Sequence, residues 1–162
     1  MKLTSAAQQR LQFLCRVVEK ECKHLEQTRQ RLFTPSFTLE VVAQLEQHPN
    51  ISERVEAFVG RFGRLQDTLG DKLLPLVLAS LGERLGSVSD NLDRAERLNL
   101  LPSADEWFAM RSLRNQMVHE YVEDAQILFG ALDAGRAYTL QLLQIAQTLL
   151  KEVHQRGWLA ES

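Results

Sequence analysis

The sequence predicts an all-α protein, an up-and-down bundle of four to five main helices. Three observations carry this expectation. Apolar residues recur at the i, i+3/i+4, i+7 spacing of a buried helix face in almost every segment, and they alternate convincingly at the two-residue strand period nowhere. Proline, glycine and hydroxyl residues fall between the periodic segments, where helix ends belong. The chain is 162 residues long and 44% hydrophobic, which fits one domain over residues 1–162 and a core that needs neither disulfide nor structural metal.

Leu11, Leu14, Val18, Leu25 and Leu32 mark a long first helix that stops at Thr34-Pro35-Ser36. Leu39, Val42 and Leu45 give a short second segment ending before Pro49. Ser52 fits the N-cap of a third helix, with the stripe Val55, Phe58, Val59, Phe62, Leu65 and Leu69, and Gly70 closes it or allows a bend. Beyond it, Pro75 either opens a new helix near its first turn or kinks the old one. Gly82, Gly86 and Ser87 loosen the chain before a short helix from Asp90 to about Leu98. Leu101-Pro102 breaks the pattern, and Ser103 with Glu106 forms a capping box for a helix that runs to Tyr121. A short helical piece from Asp124 to Leu132, a break near Gly135 and a last helix from about Ala137 to Gln155 complete the chain.

Charge and compartment narrow the function classes. The chain holds 19 Lys and Arg against 21 Asp and Glu, a net −2, which argues against a general nucleic-acid coating protein but leaves room for a local basic cleft. Residues 1–31 are the basic part, with seven Lys and Arg against three Glu. The first thirty residues contain no signal-peptide run. The longest apolar uncharged stretch, Leu73 to Gly82, is half the ~20 residues a membrane span needs, so the expectation is a cytoplasmic protein with no membrane contact. Cys15 and Cys22 fall on one helix face two turns apart, about 10 Å, which is too far for a disulfide. They read as small buried hydrophobes.

Walker loop, nucleotide-binding glycine triplet, HExxH and paired CxxC motifs are absent, so chemistry has one place to be. In the segment Arg111-Ser112-Leu113-Arg114-Asn115-Gln116-Met117-Val118-His119-Glu120-Tyr121, Trp107, Met110, Leu113, Met117, Val118 and Tyr121 share one helical arc. Arg111, Asn115 and His119 form a polar stripe at i, i+4, i+8. Arg114 falls inside the apolar arc, where a guanidinium needs a partner because it cannot be relieved by deprotonation. Asp67, Asp71 and Asp93 are the candidate carboxylates. Two readings are open on these residues alone. In one, Arg114 makes a structural ion pair and His119 merely ends a helix. In the other, they form a phosphate site, with Arg114 supplying paired charge-assisted hydrogen bonds and His119 moving protons near neutral pH. A divalent-metal site on His119, Glu123 and Asp124, beside Glu120, is a lesser alternative. His24, His48 and His154 have no partner spacing, and Trp158 reads as packed on the bundle.

The string Arg114-Asn115-x-x-x-His119-x-Tyr121 resembles the R-x4-H-x-Y motif of the HEPN superfamily, in particular the HepT-like toxins and the related nucleotidyltransferase substrate-binding proteins. Trp107 upstream on the same helix, Leu100-Leu101 before it, and Arg61-Phe62 followed by Asp67 extend the likeness over roughly residues 54 to 121. The sequence departs from the family after the upstream acid: Leu69-Gly70-Asp71-Lys72 stand where a Trp-Lys pair often follows a Glu. The resemblance implies a homodimer whose paired motif helices line a shared cleft, and metal-independent RNA cleavage with no cofactor. It assigns catalysis to Arg114, Asn115 and His119, support to Asp67 and Arg111, and modification with AMP to Tyr121 by a partner nucleotidyltransferase antitoxin (MNT-type). A non-catalytic substrate-binding subunit of such a nucleotidyltransferase is the alternative that the same motif allows.

Overall fold

The computed structural model describes residues 3–119 and 124–159, and all the regular structure among them is helical. The elements are α1 (Ser5–Leu32), α2 (Leu39–Ala43), a 3-10 turn (Leu45–Gln47), α3 (Pro49–Asp67), a π-helical turn (Thr68–Leu73), α4 (Leu74–Ser80), α5 (Val88–Arg97), α6 (Ala104–His119) and α7 (Ala125–Gln155). Four of them close a ring: α1 packs on α3, α3 on α6, α6 on α7, and α7 back on α1. The chain is therefore an all-α helical bundle, with α4 and α5 covering one side of the ring.

The main helices bury most of the stripe that their apolar spacing marks; the exception is Val118, placed on the apolar arc of α6 but exposed, because it lies at the edge of that arc next to Asn115 and not against α3 or α7. On α1 the buried stripe is Leu11, Leu14, Cys15, Val18, Cys22, Leu25 and Leu32. Both cysteines are free and buried. Burial, reinforced by nearby glutamates, pushes the Cys15 thiol up to about 11 and the Cys22 thiol up to about 12, so neither is a thiolate at neutral pH. Phe33 meets Phe37 and Phe58 edge-on, and Phe37 stacks on Phe129 of α7. This aromatic cluster ties the end of α1 to α3 and α7. Trp158 is buried against the bundle under Arg156. Among the described residues no helix is long and apolar enough to cross a membrane.

Several boundaries differ from the sequence reading, each for a local reason. Helix α3 begins at Pro49, with His48 at the cap, and not after Ser52; the ring fixes φ for the first helical turn, where a missing N–H costs nothing. Of the two alternatives for Pro75, the structure takes the first: Pro75 lies in the first turn of a new α-helix, α4, which follows directly on the π turn. The chain passes from α3 through the π turn into α4, with the Leu74 amide donating to the Leu69 carbonyl. Helix α5 starts earlier than expected, at Val88, because Ser87 and Asp90 form a reciprocal capping box. At α6 only the hydroxyl half of the expected box is present. Ser103 Oγ accepts from the Glu106 amide at 3.1 Å, while the Ala104 amide is served by the Glu96 carboxylate at 2.9 Å.

The break expected near Gly135 does not exist: α7 runs unbroken for 31 residues. Gly135 is a packing position. A Cβ there would lie 3.1 Å from the Phe58 ring and 3.3 Å from the Met117 sulfur, so the missing side chain lets α3, α6 and α7 approach closely.

Candidate functional site

The site is built where α6 crosses α3. Helix α6 buries Trp107, Met110 and Met117 and half-buries Leu113 and Arg114 on the same side. Trp107 seats its indole over Gly70 of the π turn, where a Cβ would stand 2.7 Å from the ring, and its carbonyl accepts from Gln66 Nε2 at 3.5 Å. The Trp107 Nε1 and Gln66 Oε1 atoms are buried without a partner among the described residues. The π turn and Gly70 together create the recess that holds the large end of α6 against α3.

Two turns beyond Trp107, Arg114 reaches α3. Its Nη1 donates to Asp67 Oδ1; Asp71 and Asp93, the other candidate carboxylates, do not pair with it. The arginine stem crosses Gly63, one turn before Asp67 on the same face of α3, and a Cβ at Gly63 would lie only 2.7 Å from Arg114 Nε. Gly63 is the residue that sequence reasoning missed. Its signal was present, a glycine four positions before the acid and therefore beneath it on the helix. The slot also corrects the placement of Arg114 in a dry apolar arc: the side chain is 28% exposed and that of Asp67 is 41% exposed. Arg114 is held at the edge of the core with one edge of its fork toward Asp67. Its Nε and Nη2 have no hydrogen-bond partner among the described residues.

The rest of the polar stripe does not join this pair. Asn115 is exposed and Arg111 half-buried, and among the described residues neither makes a side-chain hydrogen bond or ion pair. His119 is the last described residue of α6. Its side chain, together with Glu120, Tyr121 and Glu123, lies outside what is described. Asp124, the remaining member of the metal alternative, caps α7: its Oδ1 accepts from the amides of Gln126 at 2.9 Å and Ile127 at 3.1 Å. Among the described residues no three His, Cys, Asp or Glu side chains converge as a metal site would require.

Beside Asp67, the π turn brings a second carboxylate into the same electrostatic neighbourhood. Glu21 of α1 accepts a hydrogen bond from Thr68 Oγ1 at 3.0 Å, and its other oxygen is buried without a partner among the described residues. Burial raises its pKa above the usual carboxylate range, and Thr68, Arg64 and Lys72 oppose the rise while Asp67 adds to it.

No family model, no curated protein and no solved structure matches this chain.

Proposed function

We propose that the chain is a metal-independent endoribonuclease of the HEPN type, the toxin of a toxin–antitoxin pair, acting in the cytoplasm as a homodimer and restrained by a small nucleotidyltransferase. The observation that carries this reading is the way Arg114 is held. Asp67 fixes one nitrogen of the guanidinium across the Gly63 slot, and the other two nitrogens remain unpaired among the described residues. A planar fork positioned by one carboxylate and open on another edge suits recognition of a phosphodiester.

In the proposed reaction His119 accepts the proton of a ribose 2′-hydroxyl. The freed oxygen attacks the adjacent phosphorus, and the bond to the 5′-oxygen breaks as that oxygen takes up a proton. Arg114 stabilises the charge that builds on the phosphoryl oxygens, and Asn115, one position further on α6, orients the phosphate. Arg111, one turn before Asn115, supports the same face. One chain supplies a single motif histidine, so a cleft shared by two chains would provide both the base and the acid. Products would carry 2′,3′-cyclic phosphate and 5′-hydroxyl ends. Proton transfer by His119 and charge stabilisation by Arg114 leave no step for a metal, and cleavage would persist in EDTA. Addition of AMP at Tyr121 would place a competing phosphate and a bulky nucleoside where RNA must enter.

The test is expression and RNA cleavage by the wild type, Arg114→Ala and His119→Ala. The reading expects growth arrest and cleavage from the wild type alone, with all three proteins equally helical. Cleavage by either variant at the wild-type rate would remove its assigned role. Loss of activity on chelation, restored by Mg²⁺ or Mn²⁺, would transfer the chemistry to a metal. Co-expression with the partner nucleotidyltransferase should add AMP masses that Tyr121→Phe prevents.

A further inference from the structure

A second arginine cluster lies on the other side of α3. Arg31 at the end of α1, with Arg54 and Arg61 on α3, lines an open groove of about 390 Å³ between the two helices. Arg54 and Arg61 are two helical turns apart, about 10.5 Å along the axis. Two of the three are already oriented. Arg61 Nη1 donates to Thr28 Oγ1 and, at 3.2 Å, to the His24 carbonyl; Arg54 Nη1 donates to the Arg31 carbonyl at 3.4 Å. None of the three pairs with a carboxylate among the described residues, although Glu53 sits on the groove wall. Three guanidiniums lining one groove beside the single carboxylate of Glu53 leave an excess of positive charge there in a chain of net charge −2, and such a local field attracts an anion.

We propose that this groove binds the phosphodiester backbone of a single-stranded nucleic acid. The groove is open along its length, and Ala57 is its one apolar lining residue; it offers no aromatic face on which a base or nucleoside could stack. Affinity here would come from phosphates and not from bases, which favours a strand over a mononucleotide. The separation of Arg54 and Arg61 suits two different phosphates of an extended strand better than one compact phosphate group. The groove lies about 120° around α3 from Asp67, so it is a binding track separate from the Arg114 site. It stands on its own geometry whether or not that site cleaves RNA.

The test is fluorescence anisotropy with fluorescein-labelled oligo-uridylate and oligo-thymidylate twelve-mers, using the full chain in a His119→Ala background that prevents cleavage. Arg31→Gln/Arg54→Gln keeps the Arg61 anchor between α1 and α3 but removes the Arg54 bond to the Arg31 carbonyl, so its helicity and thermal melt are compared with those of the wild type, and Arg31→Lys/Arg54→Lys, which keeps the charge, should keep the salt slope. Each phosphate contact on a single strand contributes about 0.7 to the slope of log K against log salt, so the Arg31→Gln/Arg54→Gln variant should reduce that slope by about 1.4 and weaken binding about tenfold or more at low salt. The two oligonucleotides should behave alike, since phosphates are what the groove reads. An unchanged slope in the Arg31→Gln/Arg54→Gln variant, no binding of either oligonucleotide, or binding of ATP in their place would overturn the proposal. Arginine-dependent binding by a wild type that never cleaves RNA would sustain this groove and sink the catalytic reading.

Discussion

The two faces of α3 use arginine in opposite ways. Toward α6, one guanidinium lies in a glycine slot, tied to Asp67 and half-sheltered by the core. Toward α1, three guanidiniums share an open groove, two of them held by carbonyls and a threonine hydroxyl and none by a carboxylate among the described residues. An acid-paired arginine has a fixed position and a neutralised field, which suits orientation of a single reacting phosphate. Unpaired arginines keep their full field, which suits capture of a polyanion. The same residue type thus serves geometry on one face and charge on the other.

The largest expected effect separates both faces from the core they share. Phe58 is fully buried between them, against Phe33 and beside Gly135, and Phe58→Ala should cost about 3–5 kcal/mol by chemical denaturation. A loss under about 1 kcal/mol would mean that the two faces are not braced by a common core. Next comes Gly63→Ala. The added Cβ meets the flexible Arg114 side chain and not backbone, while an alanine is worth about 1 kcal/mol over glycine inside a helix. Stability should hold or rise slightly, yet the guanidinium must move and RNA cleavage should fall by about tenfold or more. Parallel loss of both would make Gly63 a packing residue only.

Asp67→Asn should cost about 1 kcal/mol or less in thermal or chemical unfolding, far below the Phe58 loss, because both partners of the ion pair are partly exposed. A loss of several kcal/mol would mean that the pair is structural and that Arg114 is not poised for a ligand. The smallest effect concerns Glu21. Its raised pKa means that the folded protein binds the proton more tightly than the unfolded chain. Its contribution is therefore present below the ordinary value near 4.5 and is lost as pH rises through the raised value. Glu21→Gln should flatten that part of the stability–pH profile and leave the protein relatively more stable at neutral pH. A profile unchanged by the substitution would contradict the burial assigned to Glu21.

The fold was legible because helices announce themselves by periodicity. The stripe from Leu11 to Leu32 on α1 and the cap of α6 at Ser103 follow from spacing alone; that Arg114 needs a carboxylate follows from its place on the helix, and which of Asp67, Asp71 and Asp93 supplies it does not. What sequence spacing does not carry is the close approach of two helices. Gly135 reads as a breaker and is instead the contact point for Phe58 and Met117; Gly63 carries no periodic signal of its own, although it makes room for Arg114. Pro75 leaves a choice between kink and start, and the π turn decides it: the Leu74 amide donates to the Leu69 carbonyl, and Pro75 sits in the first turn of α4. At both glycines the deciding atoms belong to another helix, far along the chain. The groove arginines escaped for the same reason: Arg31 meets Arg54 and Arg61 only once α1 lies on α3.

The most direct measurement is cleavage of a labelled RNA in EDTA by the wild type and Arg114→Lys, with the product ends analysed. Lysine keeps the charge and the ion pair with Asp67 but loses the planar fork. The account predicts 2′,3′-cyclic phosphate and 5′-hydroxyl ends from the wild type, and from Arg114→Lys a folded protein slowed by about a hundredfold or more. Wild-type cleavage rates from Arg114→Lys, or no cleavage by the wild type as a homodimer, would contradict it.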